Sequence, residues 1–138
     1  MSEILKKINP EWPLRLGFGL MYLYAGFHLF NDPAPWRSYL PVWYAQSIGE
    51  VMSVELYLRL QGIVEIVAGL LFLAWFFGRR GVLVGTLYAL VEFLLILLLT
   101  GVDLITFRDI GLLGGAIALL ILIFSSHTNS PVQSNRVN

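Results

Sequence analysis

The 138-residue chain is 57% hydrophobic and only 13% charged, against about 25% charged residues in ordinary soluble domains, and its mean hydropathy is +0.75. A net charge of zero provides no field to recruit nucleic acid. The absence of cysteine excludes disulfides, thiol nucleophiles and thiolate metal sites, and two histidines, His28 and His127, are too few for an all-histidine metal centre.

The apolar residues fall into four runs, at 13–30, 57–77, 81–100 and 107–124. Each is close to the ~20 residues that cross a hydrocarbon core. The expected fold is therefore all-α: a polytopic membrane four-helix bundle over residues 1–125, followed by a polar, fraying tail at 126–138. The first run follows Lys6 and Lys7 as a signal peptide would, but it is longer than a signal core and lacks a small-x-small cleavage site, so it reads as a span. Arg15 is expected to snorkel at its inner end. His28 closes the run one turn beyond Tyr24 and reads as a hydrogen-bonded structural residue, with a proton relay or an axial haem ligand as alternatives.

The connection at 31–54 is the one long loop. It opens with Asn-Asp-Pro, a turn signal, and carries Trp36, Tyr39, Trp43 and Tyr44. Such aromatics belong at the headgroup level, and residues 42–52 are expected to form a short interfacial helix. The loop serves either as an anchor or as a lid over a cavity, with Trp36 and Trp43 as the covering side chains.

In the second run, Glu55 and Arg59 stand one turn apart at the mouth. Gln61 and Glu65 follow one turn apart, bracketed by Gly62 and Gly69 on the same face. The loop at 78–80 is too short for anything but an antiparallel hairpin. In the third run Gly81, Gly85, Tyr88 and Glu92 share a face, and Tyr88 is placed to donate to Glu92. Glu65 lies eight residues after the start of its run and Glu92 eight before the end of its own. At ~1.5 Å per residue both acids then sit about 12 Å below one membrane face. A charge buried there costs roughly 2.5–3.5 kcal/mol on insertion scales. Two acids at matched depth point to a polar hollow, serving either as a helix lock or as a proton- or ligand-binding pair.

Asp103, Arg108 and Asp109 crowd the mouth of the fourth run. They read as interfacial snorkelling plus an acid at a helix N-terminus, or as a network in which Arg59 or Arg108 meets Glu65, Glu92 or Asp109. Gly111, Gly114, Gly115 and Ala118 make a stripe of small residues expected to face inward, because close backbone approach drives association in lipid. Six Lys/Arg residues (Lys6, Lys7, Arg15, Arg79, Arg80, Arg136) lie on the face of the termini against three (Arg37, Arg59, Arg108) opposite, which places both termini in the cytoplasm.

Three segments resemble DoxX-type proteins. LGFGLMYLYAGFHLF at 16–30, followed by Asn-Asp-Pro and Trp36, is similar to the family's opening helix. QGIVEIVAGLL at 61–71 resembles its second-helix pattern, and RDIGLLGGAIA at 108–118 its fourth-helix signature. The resemblance implies a four-span protein of a bacterial or archaeal plasma membrane. The family's second-helix acid maps to Glu65, and its Arg-Asp pair to Arg108 and Asp109. His28 replaces the lysine common at the end of the first helix, and thiol-linked family roles do not fit a chain without cysteine. The implied function is an accessory or subunit of a quinone-linked redox system, its partners the lipid bilayer and a redox subunit. If there is an activity, it is that of a quinone-linked oxidoreductase subunit. In this reading Glu65 or Glu92 exchanges the protons and Arg59 or Arg108 bonds the quinone oxygens, with Tyr88, His28 and Asp109 as further candidates. The alternatives are a non-catalytic membrane scaffold and, third, a small proton-coupled transporter. Four short spans leave a transporter little room unless the chain forms a homo-oligomer.

Overall fold

The computed structural model describes residues 9–74 and 78–125. Predicted features on residues 1–8, 75–77 and 126–138, including the polar tail and His127, lie outside the described residues. Helix α1 (Glu11–Asn31) begins where Asn9 Oδ1 accepts the Glu11 N–H at 3.0 Å. It stops at Asp32, which precedes Pro33 and has left the helical region (φ −133°, ψ 83°). Pro33 and Pro41 then set the starts of a 3-10 helix (Ala34–Tyr39) and of the short α2 (Val42–Gly49), which matches the short helix expected at 42–52. Ser53 caps α3 (Val54–Leu73), its hydroxyl accepting the Leu56 N–H at 3.2 Å. Helix α4 (Gly78–Thr100) ends at Gly101, whose φ of +80° suits glycine. Helix α5 (Phe107–Ser125) completes the order. Among the described residues there is no strand.

Helices α3, α4 and α5 are long and apolar enough to cross a membrane by length and composition, which places the protein in a lipid bilayer. Helix α1 is also of spanning length, but it carries Arg15, His28 and several tyrosines and is not among the three. Composition thus supports three crossings where the apolar runs imply four.

The helices associate as two close pairs, α1 with α3 and α4 with α5, joined by lesser contacts between α3 and α4 and between α1 and α5. In the first pair the backbones touch. A Cβ on Gly26 would lie 2.7 Å from the Gly62 carbonyl oxygen, one on Gly62 would lie 2.7 Å from that of Gly26, and one on Gly69 would lie 2.9 Å from that of Gly19. The inward placement expected of Gly62 and Gly69 is therefore met.

The two pairs meet around an aromatic core. Phe72 stacks between Phe18, 5.4 Å away, and Tyr22, 5.9 Å away, with Val82, Ala89, Ala116 and Leu119 fully buried around them. The small-residue stripe on α5 runs the other way from expectation. A Cβ on Gly111 or Gly114 would meet nothing within 4 Å, and Ala118 is exposed; only Gly115 packs, against the Phe18 ring. Asp109, Ala116, Leu119 and Ile123 define the buried face of α5 instead. Small side chains permit a close approach, but the side chains with more surface to bury choose which face approaches.

Candidate functional site

The core fills the half of the molecule around Phe18, Phe72 and Leu119. Toward the end that carries the 34–49 connection the pairs diverge, and a cleft of about 1250 Å³ opens between them. Its lining takes Tyr24 and His28 from α1, Gln61 and Glu65 from α3, Tyr88 and Glu92 from α4, and Asp109 from α5, with Trp36 and Asp103 at its edges. Glu65 and Glu92, from adjacent helices, therefore line one hollow, as their matched depths implied.

The two acids are not equivalent. Glu92 collects three donors: Tyr22 OH donates to Oε2 at 2.6 Å, while Tyr88 OH and Gln61 Nε2 donate to Oε1, each at 2.9 Å. Gln61 Nε2 also reaches Tyr88 OH at 2.9 Å, closing the cluster. Glu65 is only 7% exposed, yet its Oε2 is buried with no hydrogen-bond partner. A buried acceptor left in this state costs about 1–3 kcal/mol. Gln61, one turn from Glu65 on α3, also reaches across to α4 and bonds Glu92. Tyr22 is the site residue that the sequence reading misses, although Gly19, Tyr22 and Gly26 share one face of α1 and that spacing is a usable signal.

Of the expected arginine–acid network, Arg108 stands beside Asp109, while neither arginine reaches Glu65 or Glu92. Arg59 is absent from the cleft lining and donates from Nη1 to the Phe30 carbonyl at 2.6 Å, satisfying an end carbonyl of α1. Arg108 lies at the cleft mouth with a side chain 65% exposed; Arg108 Nε comes no closer than 3.8 Å to Asp109 Oδ1. Both have nearer company than the buried carboxylates: a free helix-end carbonyl for one, solvent for the other. Asp109 is itself buried in the first turn of α5. Arg15, expected to snorkel, is instead buried. It donates from Nε to the Phe72 carbonyl at 2.9 Å, pairs with Glu11 at 3.3 Å and lies over the Trp12 ring, holding α1 to the end of α3.

His28 takes the structural role expected of it: Nδ1 accepts the Trp36 indole N–H at 2.9 Å, and the ring lies against Tyr24. This bond holds Trp36 at the cleft edge. Trp43 does not line the cleft; it is 52% exposed and packs edge-on against Tyr44. Of the two covering tryptophans only Trp36 is so placed, while Tyr44 and Tyr57, sharing a hydrogen bond at 2.9 Å, form another part of the rim. At the mouth, Asp103 Oδ1 accepts the N–H groups of Thr106 and Ile105, which hold its carboxyl below the usual carboxylate range.

Compared with models of known families, with curated proteins and with solved structures, the chain matches none.

Proposed function

We propose that the chain is a four-span membrane protein of DoxX type that holds the polar head of a membrane-soluble ligand, as the accessory subunit of a quinone-linked redox system. In this reading α1 is the fourth crossing, with Arg15 buried against the end of α3. Both termini lie in the cytoplasm, and the cleft faces the outer leaflet of a bacterial or archaeal membrane. The observation that carries the reading is the buried, unpartnered Glu65 Oε2 in the wall of a cleft whose neighbouring acid is already saturated.

That asymmetry selects the reduced form of the ligand. A quinone offers carbonyl oxygens and needs donors, but the donors beside Glu65 and Glu92, namely Tyr22, Tyr88 and Gln61, bond Glu92, and the exposed guanidinium of Arg108 stands at the mouth. A quinol brings its own hydroxyls, and one of them donates to Glu65 Oε2. Glu65 then accepts that proton when the quinol is oxidised, the second hydroxyl gives its proton to water at the cleft mouth, and the two electrons pass to a redox centre on a partner subunit. Glu92, fixed by three bonds, orients the wall and does not exchange protons. The DoxX-like segments support the assignment through Glu65, which sits at the family's acid position, and through Arg108 and Asp109 at the cleft mouth.

Quinol quenching of tryptophan fluorescence, measured on the full chain in nanodiscs, tests this. Wild type is expected to bind, and Glu65→Gln to bind about tenfold more weakly, the loss of one hydrogen bond to a charged acceptor. Equal and negligible quenching in both proteins overturns it. The scaffold alternative draws support from the same Glu92 cluster, because three helices converge on that carboxylate. It predicts that quinol leaves the fluorescence of both proteins unchanged.

A further inference from the structure

The cleft's ionisable groups are unbalanced. Four carboxylates line it, Glu65, Glu92, Asp103 and Asp109, against the single guanidinium of Arg108 and the His28 ring. Arg108 is largely exposed and stands 3.8 Å from Asp109. Every hydrogen bond to Glu92 comes from a neutral donor, and Glu65 Oε2 has no partner at all. Among the described residues no cation therefore offsets Glu65, which is buried, or Glu92, which is partly buried. Buried charge without a counter-ion is expensive, and a protein that leaves a carboxylate this way is prepared for a partner that brings positive charge.

The walls around these acids are aromatic. Tyr24, Trp36, Tyr39, Tyr44, Tyr57 and Tyr88 all border the cleft. Aromatic faces attract organic cations, by about 0.5–1 kcal/mol each when exposed and about 2 kcal/mol when desolvated. The volume, about 1250 Å³, exceeds that of ordinary small-molecule pockets and leaves room for a bulky or chain-bearing ligand. Asp103 adds a solvated negative charge at the entrance, since its backbone hydrogen bonds favour the ionised form.

We propose that the cleft is a binding site for amphipathic protonated amines: the ammonium N–H donates to Glu65 Oε2, the charge lies among the tyrosine and tryptophan rings, and the apolar part extends toward lipid. The proposal rests on the same cleft as the quinol reading but not on quinol itself. It asks for a donor that also carries charge, which a hydroxyl does not. Occupancy by such an amine excludes a quinol from Glu65.

The experiment compares two probes of matched shape, 4-phenylbutylamine, protonated at pH 7.5, and neutral 4-phenylbutanol. Binding to the full chain is measured by titration calorimetry in phosphatidylcholine nanodiscs, with empty discs subtracted. Wild type is expected to prefer the amine by about tenfold, the contribution of one charge-assisted bond over a neutral one. In Glu65→Gln the preference falls to about one, because the amine loses about tenfold more affinity than the alcohol. A wild-type preference near one overturns the proposal, and that result depends on no variant folding. A preference that survives in Glu65→Gln also overturns it. Quinol run on the same discs separates the two readings: quinol failing while the amine preference holds removes the redox assignment alone, and the reverse result removes this one.

Discussion

Gly62→Ala is expected to destabilise the protein by about 3 kcal/mol, the upper end of what overpacking a tight interface costs. The new methyl carbon would stand 2.7 Å from the Gly26 carbonyl oxygen, 2.9 Å from the Phe30 nitrogen and 3.1 Å from the Leu29 Cβ. Two of these neighbours are backbone atoms and cannot swing aside, so α1 and α3 must separate. Separation also breaks the Arg15 bond to the Phe72 carbonyl and the Arg59 bond to the Phe30 carbonyl, both of which cross between these helices. The same substitution on α5 behaves oppositely. Gly114→Ala meets nothing within 4 Å and gains helix propensity, by up to about 1 kcal/mol. Equilibrium unfolding of both variants in mixed micelles measures the contrast. Equal effects from the two alanines would show that α1 and α3 do not associate through their backbones.

Glu92→Leu is the second large effect, a loss of about 2 kcal/mol. Tyr22 is only 2% exposed, and removing the carboxylate leaves its hydroxyl without its acceptor. An unsatisfied buried polar group costs about 1–3 kcal/mol. Gln61 and Tyr88 lose their bonds to Glu92 but keep the one between them, which limits the damage. Adding Tyr22→Phe removes the stranded hydroxyl, so the double variant should recover about 1 kcal/mol relative to additivity. Glu65→Gln, by contrast, should melt within about 0.5 kcal/mol of wild type, as substitutions that remove no stabilising contact do, because Oε2 has no hydrogen bond to lose. Should Glu65→Gln prove as damaging as Glu92→Leu, the distinction between a structural and a ligand-facing acid is wrong.

Much of this site is legible in the order of residues along the chain. Counting from the ends of the apolar runs sets Glu65 and Glu92 at one depth, and the shared face of Tyr88 and Glu92 foretells their hydrogen bond. The glycines of α3 mark its contact face because Gly62 and Gly69 flank an acid that has to be shielded. What chain order does not convey is which side chain serves which acid. Gln61 has Glu65 as its helical neighbour and still bonds Glu92 on α4. Tyr22 reaches the same carboxylate from seventy residues away.

Arg59 fails as a partner of the two glutamates for a similar reason. Opposite charge at matched depth is not sufficient when the unpaired Phe30 carbonyl at the end of α1 lies within easier reach of Arg59. On α5 a run of glycines resembles a contact face, but Leu119 and Ile123 have more surface to bury and turn the helix their own way.

Carbodiimide labelling tests the central claim most directly. A hydrophobic carbodiimide enters from lipid and modifies carboxyl groups it can reach, and peptide mass spectrometry then assigns each adduct. Glu65, whose Oε2 has no hydrogen-bond partner, should label ahead of Glu92, whose two oxygens are held by three donors, and 4-phenylbutylamine or a quinol should protect it. Labelling of Glu92 ahead of Glu65, or modification of Glu65 that neither molecule slows, would contradict the account.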